Sequence, residues 1–228
     1  MDALRAPTPR RAGVDVDGVL ADLHRRFLYL LNKDAAKARD ATGAYYRPST
    51  LEDVTDWDTW KALPILRDIT ARFGEDYASA LCWRYFDLAW LSPHKMKPIP
   101  GAPEAMRALS KRSDLEIEIL TSRRPESTGD MMAWLSMQRI PATAVVTLDA
   151  HHRYKSDKSR RSYDVFIDDS PGLARRMAGH PDSTLLLFDR PYNQGTYTPN
   201  VRRVGNWRCP ETHWQEVLKY FKPINVKR

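Results

Sequence analysis

The sequence predicts an α/β fold: a mostly parallel β-sheet with helices on both faces and a helical segment inserted after the first strand. Three observations carry this. Ala12–Val16 reads as a short buried strand closed by the turn Asp17-Gly18. From residue 96 onward, short apolar runs alternate with runs of helical pattern. Between these regions, roughly 32 to 95, lie Pro48, Pro64, Gly74 and Pro93, several helix-like segments and no clear strand.

The elements follow in order. Residues 1–12, rich in Pro and Arg, read as a loose basic arm. After the first strand, Asp22 to about Leu31 is helical in pattern. Past Pro98-Ile99-Pro100-Gly101, Ala102–Lys111 reads as a helix that tolerates Pro103 in its first turn. Leu115–Leu120 is a strand, Glu126–Met137 a helix, Ala144–Thr147 and Val165–Ile167 strands, and Ser170–Ala178 a helix. Leu185–Phe188 is a further strand and Glu211–Tyr220 a closing helix. The organisation implied is an arm (1–12), a core from 13–31 and 96–228, and a helical cap over 32–95.

Composition excludes several classes. The 228 residues are 42% hydrophobic and 29% charged, which fits a globular protein rather than a disordered chain. Apolar stretches such as Leu185–Phe188 fall far short of the roughly 18 residues that span a bilayer. The basic start (Arg5, Arg10, Arg11) is not followed by the apolar segment of a secretory signal. Cys82 and Cys209 build neither a disulfide framework nor a four-cysteine zinc site, so a reducing, cytoplasmic setting is expected. The net charge of +7 divides into +2 over residues 1–13, +5 over 201–228 and zero between. A basic excess confined to the ends argues against a nucleic-acid face, which needs clustering on a folded surface.

In open parallel sheets, ligands bind beyond the carboxyl ends of the strands. The residues there are Asp15 and Asp17, then Thr121-Ser122-Arg123-Arg124, then Asp168-Asp169, with Lys158 ten residues before Asp168. Each piece alone has a plain structural reading. Asp-x-Asp-Gly is a turn, Asp168-Asp169-Ser170-Pro171 can start a helix, and Lys158 can be a solvated charge. Together they make a carboxylate cluster with a hydroxyl and a cation at one rim. Such carboxylates repel unless a hard cation such as Mg²⁺ joins them, and Mg²⁺ keeps waters that a phosphate can displace. A phosphoryl group then needs the metal, a lysine and hydroxyl or backbone donors.

Val14-Asp15-Val16-Asp17-Gly18-Val19-Leu20-Ala21-Asp22, Ile119-Leu120-Thr121-Ser122, Lys158 and Val165-Phe166-Ile167-Asp168-Asp169-Ser170-Pro171 resemble, in order and spacing, the haloacid dehalogenase (HAD) superfamily. Pro100-Gly101-Ala102 and Phe188-Asp189-Arg190-Pro191-Tyr192-Asn193 add a similarity to the 5'(3')-deoxyribonucleotidases and their bacterial and phage relatives. The resemblance implies a Rossmann-like core. It makes Asp15 the nucleophile that forms an aspartyl-phosphate, and Asp17 the acid and then the base. It makes Thr121, with the Ser122 amide, the phosphate holder, and Lys158 the cation on the nucleophile and transferring group. Mg²⁺ would be held by Asp15, the Asp17 carbonyl and Asp169, with Asp168 keeping the cluster in place or sharing the ion. Two departures stand out. Leu23 replaces a Phe that several relatives carry, and Arg123-Arg124 lie outside the expected phosphate loop. These arginines are either solvated or meet a larger anionic substrate.

The insertion reads as a lid that excludes water from phosphoryl chemistry. Residues 45–90 hold 10 of the 23 aromatics. At about 100° per residue, Tyr77, Leu81, Tyr85 and Leu88 share one face of the helix Glu75–Trp90, and Trp83, Phe86 and Trp90 the opposite one. The first face suits the lid's own core. The second either packs on the main domain or stacks on a nucleobase, which fits a nucleoside monophosphate. Cys82 is expected to be buried and inert, and His151-His152 lack a matching third metal ligand. Tyr192 and Asn193 mark the mouth of the site or simply the turn after Pro191.

The function expected is a Mg²⁺-dependent phosphomonoesterase of (deoxy)nucleoside monophosphates, a 5'-nucleotidase. One alternative is another small phosphate ester or a polynucleotide terminus as substrate. A second, from another class, is an idle HAD-like domain that binds RNA through its basic ends. A homodimer is compatible with the aromatic content, but nothing in the chain requires it.

Overall fold

The computed structural model describes residues 8–42, 46–123, 125–148 and 157–222. The elements run β1 (Arg10–Val14), α1 (Leu23–Thr42), α2 (Thr59–Ala62), α3 (Pro64–Phe73), α4 (Glu75–Trp90), α5 (Ala102–Leu109), β2 (Leu115–Thr121), α6 (Thr128–Met137) and β3 (Val145–Thr147). They continue with β4 (Val165–Asp168), α7 (Pro171–Arg176), β5 (Thr184–Phe188), β6 (Val201–Val204) and α8 (Glu211–Tyr220). The six strands form one sheet in the order β3-β2-β1-β4-β5-β6, with every pairing parallel.

Val14 pairs with Ile119 on one side and Ile167 on the other. The chain moves outward from β1 through β2 to β3, then returns to β4 on the opposite side. This reversal opens a crevice at the carboxyl ends of β1, β2 and β4, where ligands bind in such sheets. The central strands are buried on both faces: Val14, Ile119, Val165 and Ile167 are at most 1% exposed.

The differences from the predicted elements have local causes. β1 begins at Arg10, paired with Leu115, so residues 10–12 are sheet rather than loose arm, and residues 1–7 lie outside the described residues. α1 runs on past Leu31 to Thr42, so the expected boundary between core and cap falls inside one helix. The apolar periodicity stops there, but the strong helix formers Ala, Lys and Arg carry the helix onward. β6 was missed because Arg202 and Arg203 interrupt its apolar run. An edge strand tolerates that, and charged side chains there discourage pairing with another chain.

The inserted segment leaves and rejoins the core side by side. Asp22 N–H donates to the Lys97 carbonyl (2.9 Å), and Ile99 N–H to that of Leu20 (2.7 Å). Its own core gathers Phe27, Leu28 and Leu31 of α1 with Val54, Leu63, Leu66 and Cys82. On α4, Leu81 and Tyr85 pack there as expected, but Tyr77 and Leu88 at the ends of that face are exposed. Phe86 stacks on Phe27 with ring centroids 4.5 Å apart. Cys82 is fully buried, and desolvation raises its thiol pKa to about 12.

Candidate active site

The turn after β1 builds the floor of the site. Asp15 N–H donates to the Ile167 carbonyl (2.9 Å), and the Val16 carbonyl accepts from Leu20 and Ala21 (2.9 and 2.8 Å). Gly18 has φ +76°, and a Cβ there would lie 1.8 Å from Oδ2 of Asp169. The third position after Asp15 must therefore be glycine, for backbone reasons and for the carboxylate beside it.

The carboxylates expected at the strand ends do meet. Asp15, Asp168 and Asp169 are buried, and each offers an oxygen within 4.8 Å of the others. Lys158 Nζ lies 2.9 Å from Oδ1 of Asp15 and 2.5 Å from Oδ2 of Asp168. The other Asp168 oxygen accepts the Ser170 N–H at 2.8 Å. Oδ2 of Asp169 accepts the Tyr192 hydroxyl at 2.5 Å. Burial raises the pKa of Asp15, and Lys158 only partly offsets it against the neighbouring aspartates. Burial, then Asp168, raises Asp169 to about 7. Burial works against the charge of Lys158, but Asp15 and Asp168 outweigh it and its pKa is raised.

Burial is the main cause of the raised values of Asp15 and Asp169, and repulsion from the neighbouring aspartates adds to it. Oxygen-only donors at this spacing fit a hard divalent cation such as Mg²⁺. Thr121, at the end of β2, is fully buried, and its Oγ1 accepts the Arg123 N–H at 3.3 Å. Thr121 and Ser122 line the same cleft as Asp15, Asp17, Lys158 and Asp169.

The cleft continues under the inserted segment, where Leu23, His24, Trp57, Trp60, Trp83 and Phe86 form its walls. Trp83 is 54% exposed, so its ring is open to a ligand. Of the face shared by Trp83, Phe86 and Trp90, Trp90 takes the packing alternative: it is 2% exposed in the main core and does not line the cleft as a substrate contact. Its indole Nε1 donates to Oδ1 of Asp17 at 3.0 Å. Arg123 is not solvated: its side chain is 10% exposed, and its Nε lies 2.6 Å from Oδ2 of Asp17. Arg124 and His151-His152 lie outside the described residues.

Several lining residues escaped sequence reasoning. His24, Trp57, Trp60 and Arg176 carry no periodic or motif signal. Tyr192 had one, the string after β5, but its partner was invisible. The short turn Pro191–Asn193 brings Tyr192 onto Asp169, while Asn193 Nδ2 donates to the carbonyls of Asp169 (2.9 Å) and Phe188 (2.8 Å). The Arg190 guanidinium reaches the Gly18 carbonyl and so ties this turn to the one after β1.

The model of the family described as 5' nucleotidase, deoxy (pyrimidine), cytosolic type C protein matches residues 11–213. A Bacillus subtilis protein described as "putative nucleotidase YqfW" is 25% identical over 201 residues, covering 86% of this chain and 89% of its own length. A Halalkalibacterium halodurans protein of like description is 23% identical over 211 residues, 92% of this chain and 95% of its own. A haloacid dehalogenase-like hydrolase of Streptococcus pneumoniae shares the fold, with TM-score 0.56, 14% identity and coverage of 94% and 99%. Among the described residues no helix is long and apolar enough to cross a membrane. With the family match spanning nearly its whole length, this chain belongs to the cytosolic type C 5'-nucleotidase family of HAD-type hydrolases.

Proposed function

We propose that the protein is a Mg²⁺-dependent phosphomonoesterase that hydrolyses (deoxy)nucleoside monophosphates to nucleoside and phosphate. The observation that carries this reading is the meeting of Asp15, Asp168, Asp169 and Lys158 at the floor of an aromatic-walled cleft. The cap over 32–95 serves as its lid.

An Asp15 carboxylate oxygen attacks phosphorus, and the bond from phosphorus to the ester oxygen breaks. Asp17 gives that oxygen its proton, so nucleoside leaves and an aspartyl-phosphate remains. Asp17 then takes a proton from water, the hydroxide oxygen attacks phosphorus, and phosphate departs with the Asp15 carboxylate restored. Thr121 Oγ1 and the Ser122 N–H hold the phosphoryl oxygens, and Lys158 balances charge on Asp15. Asp15, Asp169 and the Asp17 carbonyl would hold Mg²⁺, which supplies positive charge to the carboxylates and to the phosphoryl oxygens. Asp168 has donors on both oxygens, Lys158 and Ser170, which suits it to holding the lysine rather than the ion. The base rests against Trp83 and Trp57, a contact that suits different bases because each offers a π-face.

The test is a panel of nucleoside monophosphates and p-nitrophenyl phosphate with Mg²⁺, run beside Asp15→Asn, together with calorimetry of Mg²⁺ binding. Turnover of nucleotides that disappears in Asp15→Asn is expected. Hydrolysis of the generic ester alone shifts the substrate to another small phosphate. Activity that survives Asp15→Asn removes the assigned nucleophile.

A further inference from the structure

Arg123 and Trp90 hold the two oxygens of one carboxylate. Arg123 Nε donates to Oδ2 of Asp17 at 2.6 Å, and Trp90 Nε1 to Oδ1 at 3.0 Å. The donors come from separate parts of the fold: Arg123 from the loop after β2, Trp90 from the last residue of α4 in the inserted segment. The guanidinium also lies over the Trp90 ring, 5.0 Å from its centroid. Its Nη1 is 3.8 Å from Oδ1 of Asp87, one turn earlier on α4. The pair with Asp17 is sheltered, with side chains 10% and 23% exposed. Asp87 is 63% exposed, so the second contact is a weak tether.

Both holders are themselves fixed. Trp90 meets Trp134 edge-on with centroids 5.7 Å apart, and Trp134 Nε1 donates to the Met96 carbonyl at 2.8 Å. The Arg123 backbone is tied to Thr121 Oγ1. A free aspartate samples several rotamers. On the reading of Asp17 as acid and base, on which this inference rests, few of them face the leaving oxygen. Misplacing such a group by about 1 Å costs about 100-fold in rate.

We propose that Arg123 is a positioning residue: with Trp90 it sets the orientation of the Asp17 carboxylate and links that orientation to the seat of α4 on the core. Arg123 lines the cleft, and there it commits Nε to Asp17 and its flat face to an indole.

Steady-state kinetics on a nucleoside monophosphate with Mg²⁺ test this in Arg123→Gln, Arg123→Lys, Trp90→Phe, the Arg123→Gln/Trp90→Phe double variant and Asp17→Asn. In Arg123→Gln, kcat falls about 100-fold while KM stays within about threefold. Arg123→Lys recovers part of kcat, since it restores charge without the planar fork. Trp90→Phe keeps the ring, loses the donor and also lowers kcat. The double variant loses less than the product of the single losses, because both residues act on one carboxylate. A raised KM at unchanged kcat in Arg123→Gln, or a fully multiplicative double loss, overturns the proposal. Should Arg123→Gln not fold, Trp90→Phe decides, and wild-type kcat there overturns it. Wild-type turnover in Asp17→Asn means that the catalytic reading of Asp17 itself has failed. An inactive Asp17→Asn beside fully active Arg123 and Trp90 variants removes only the positioning role.

Discussion

Lys158 Nζ lies 2.9 Å from Oδ1 of Asp15, although the two residues are far apart in the sequence. The same amine contacts Asp168 at 2.5 Å, and all three groups are buried. Removing this lysine leaves buried carboxylates uncompensated, which costs about 3–5 kcal/mol. Lys158→Met is therefore expected to lower the urea midpoint and to abolish nucleotide turnover. A stable, active variant would separate the lysine from both roles.

Gly18→Ala should be disproportionately harmful for one methyl group. The residue has φ +76°, and the new Cβ would sit 1.8 Å from Oδ2 of Asp169. The left-handed backbone alone costs about 1–2 kcal/mol. Displacing Asp169, a proposed Mg²⁺ ligand, is then expected to weaken Mg²⁺ binding. Thermal unfolding and calorimetric titration of the same sample check both effects.

Tyr192→Phe removes the hydroxyl that donates to Asp169 and leaves the ring packed against His24 and Trp57. Partners behind a metal ligand typically contribute about 10- to 100-fold in affinity. Calorimetry should show Mg²⁺ binding weakened about tenfold with thermal stability little changed. Unchanged affinity would make the contact purely structural.

Trp83→Ala truncates a cleft wall that is 54% exposed, so the fold should tolerate it. Stacking on a base contributes about 1–3 kcal/mol. The expected outcome is a KM for nucleoside monophosphates raised about tenfold, with p-nitrophenyl phosphate hydrolysis unaffected. Equal loss on both substrates would point away from base stacking.

His213 is fully buried against Phe188, and burial, then the Arg190 charge, lowers its pKa. The folded state therefore keeps it neutral where the unfolded chain, near pH 6.5, takes up a proton. Its contribution to stability is complete above about pH 6.5 and is lost as pH falls below that value. Urea unfolding from pH 8 to 5 should show a slope that is shallower in His213→Phe than in wild type, by up to about 1.4 kcal/mol per pH unit. Parallel slopes would refute the linkage.

Much of the fold and site was legible because it is written locally. Strands β1, β2, β4 and β5 each carry a compact apolar run, and the site aspartates, Thr121 and Ser122 sit at the ends of such runs. β6 was not legible, because an edge strand with Arg202 and Arg203 lacks that run. The length of α1 was hidden for a similar reason: its second half has helix propensity but no apolar stripe.

By itself the sequence determined the parallel α/β core and the set of residues at its carboxyl rim, since alternation and strand ends follow from nearest neighbours along the chain. The tertiary structure alone decided what those residues touch. Trp90 has the helical phase of a cleft wall, yet lies in the core bonded to Asp17. Arg123 has the sequence context of a solvated charge, yet closes a sheltered ion pair. Tyr192 follows a turn proline, yet reaches Asp169. Each outcome depends on which element is folded over which, and burial then makes a single polar partner necessary where solvent would have accepted any.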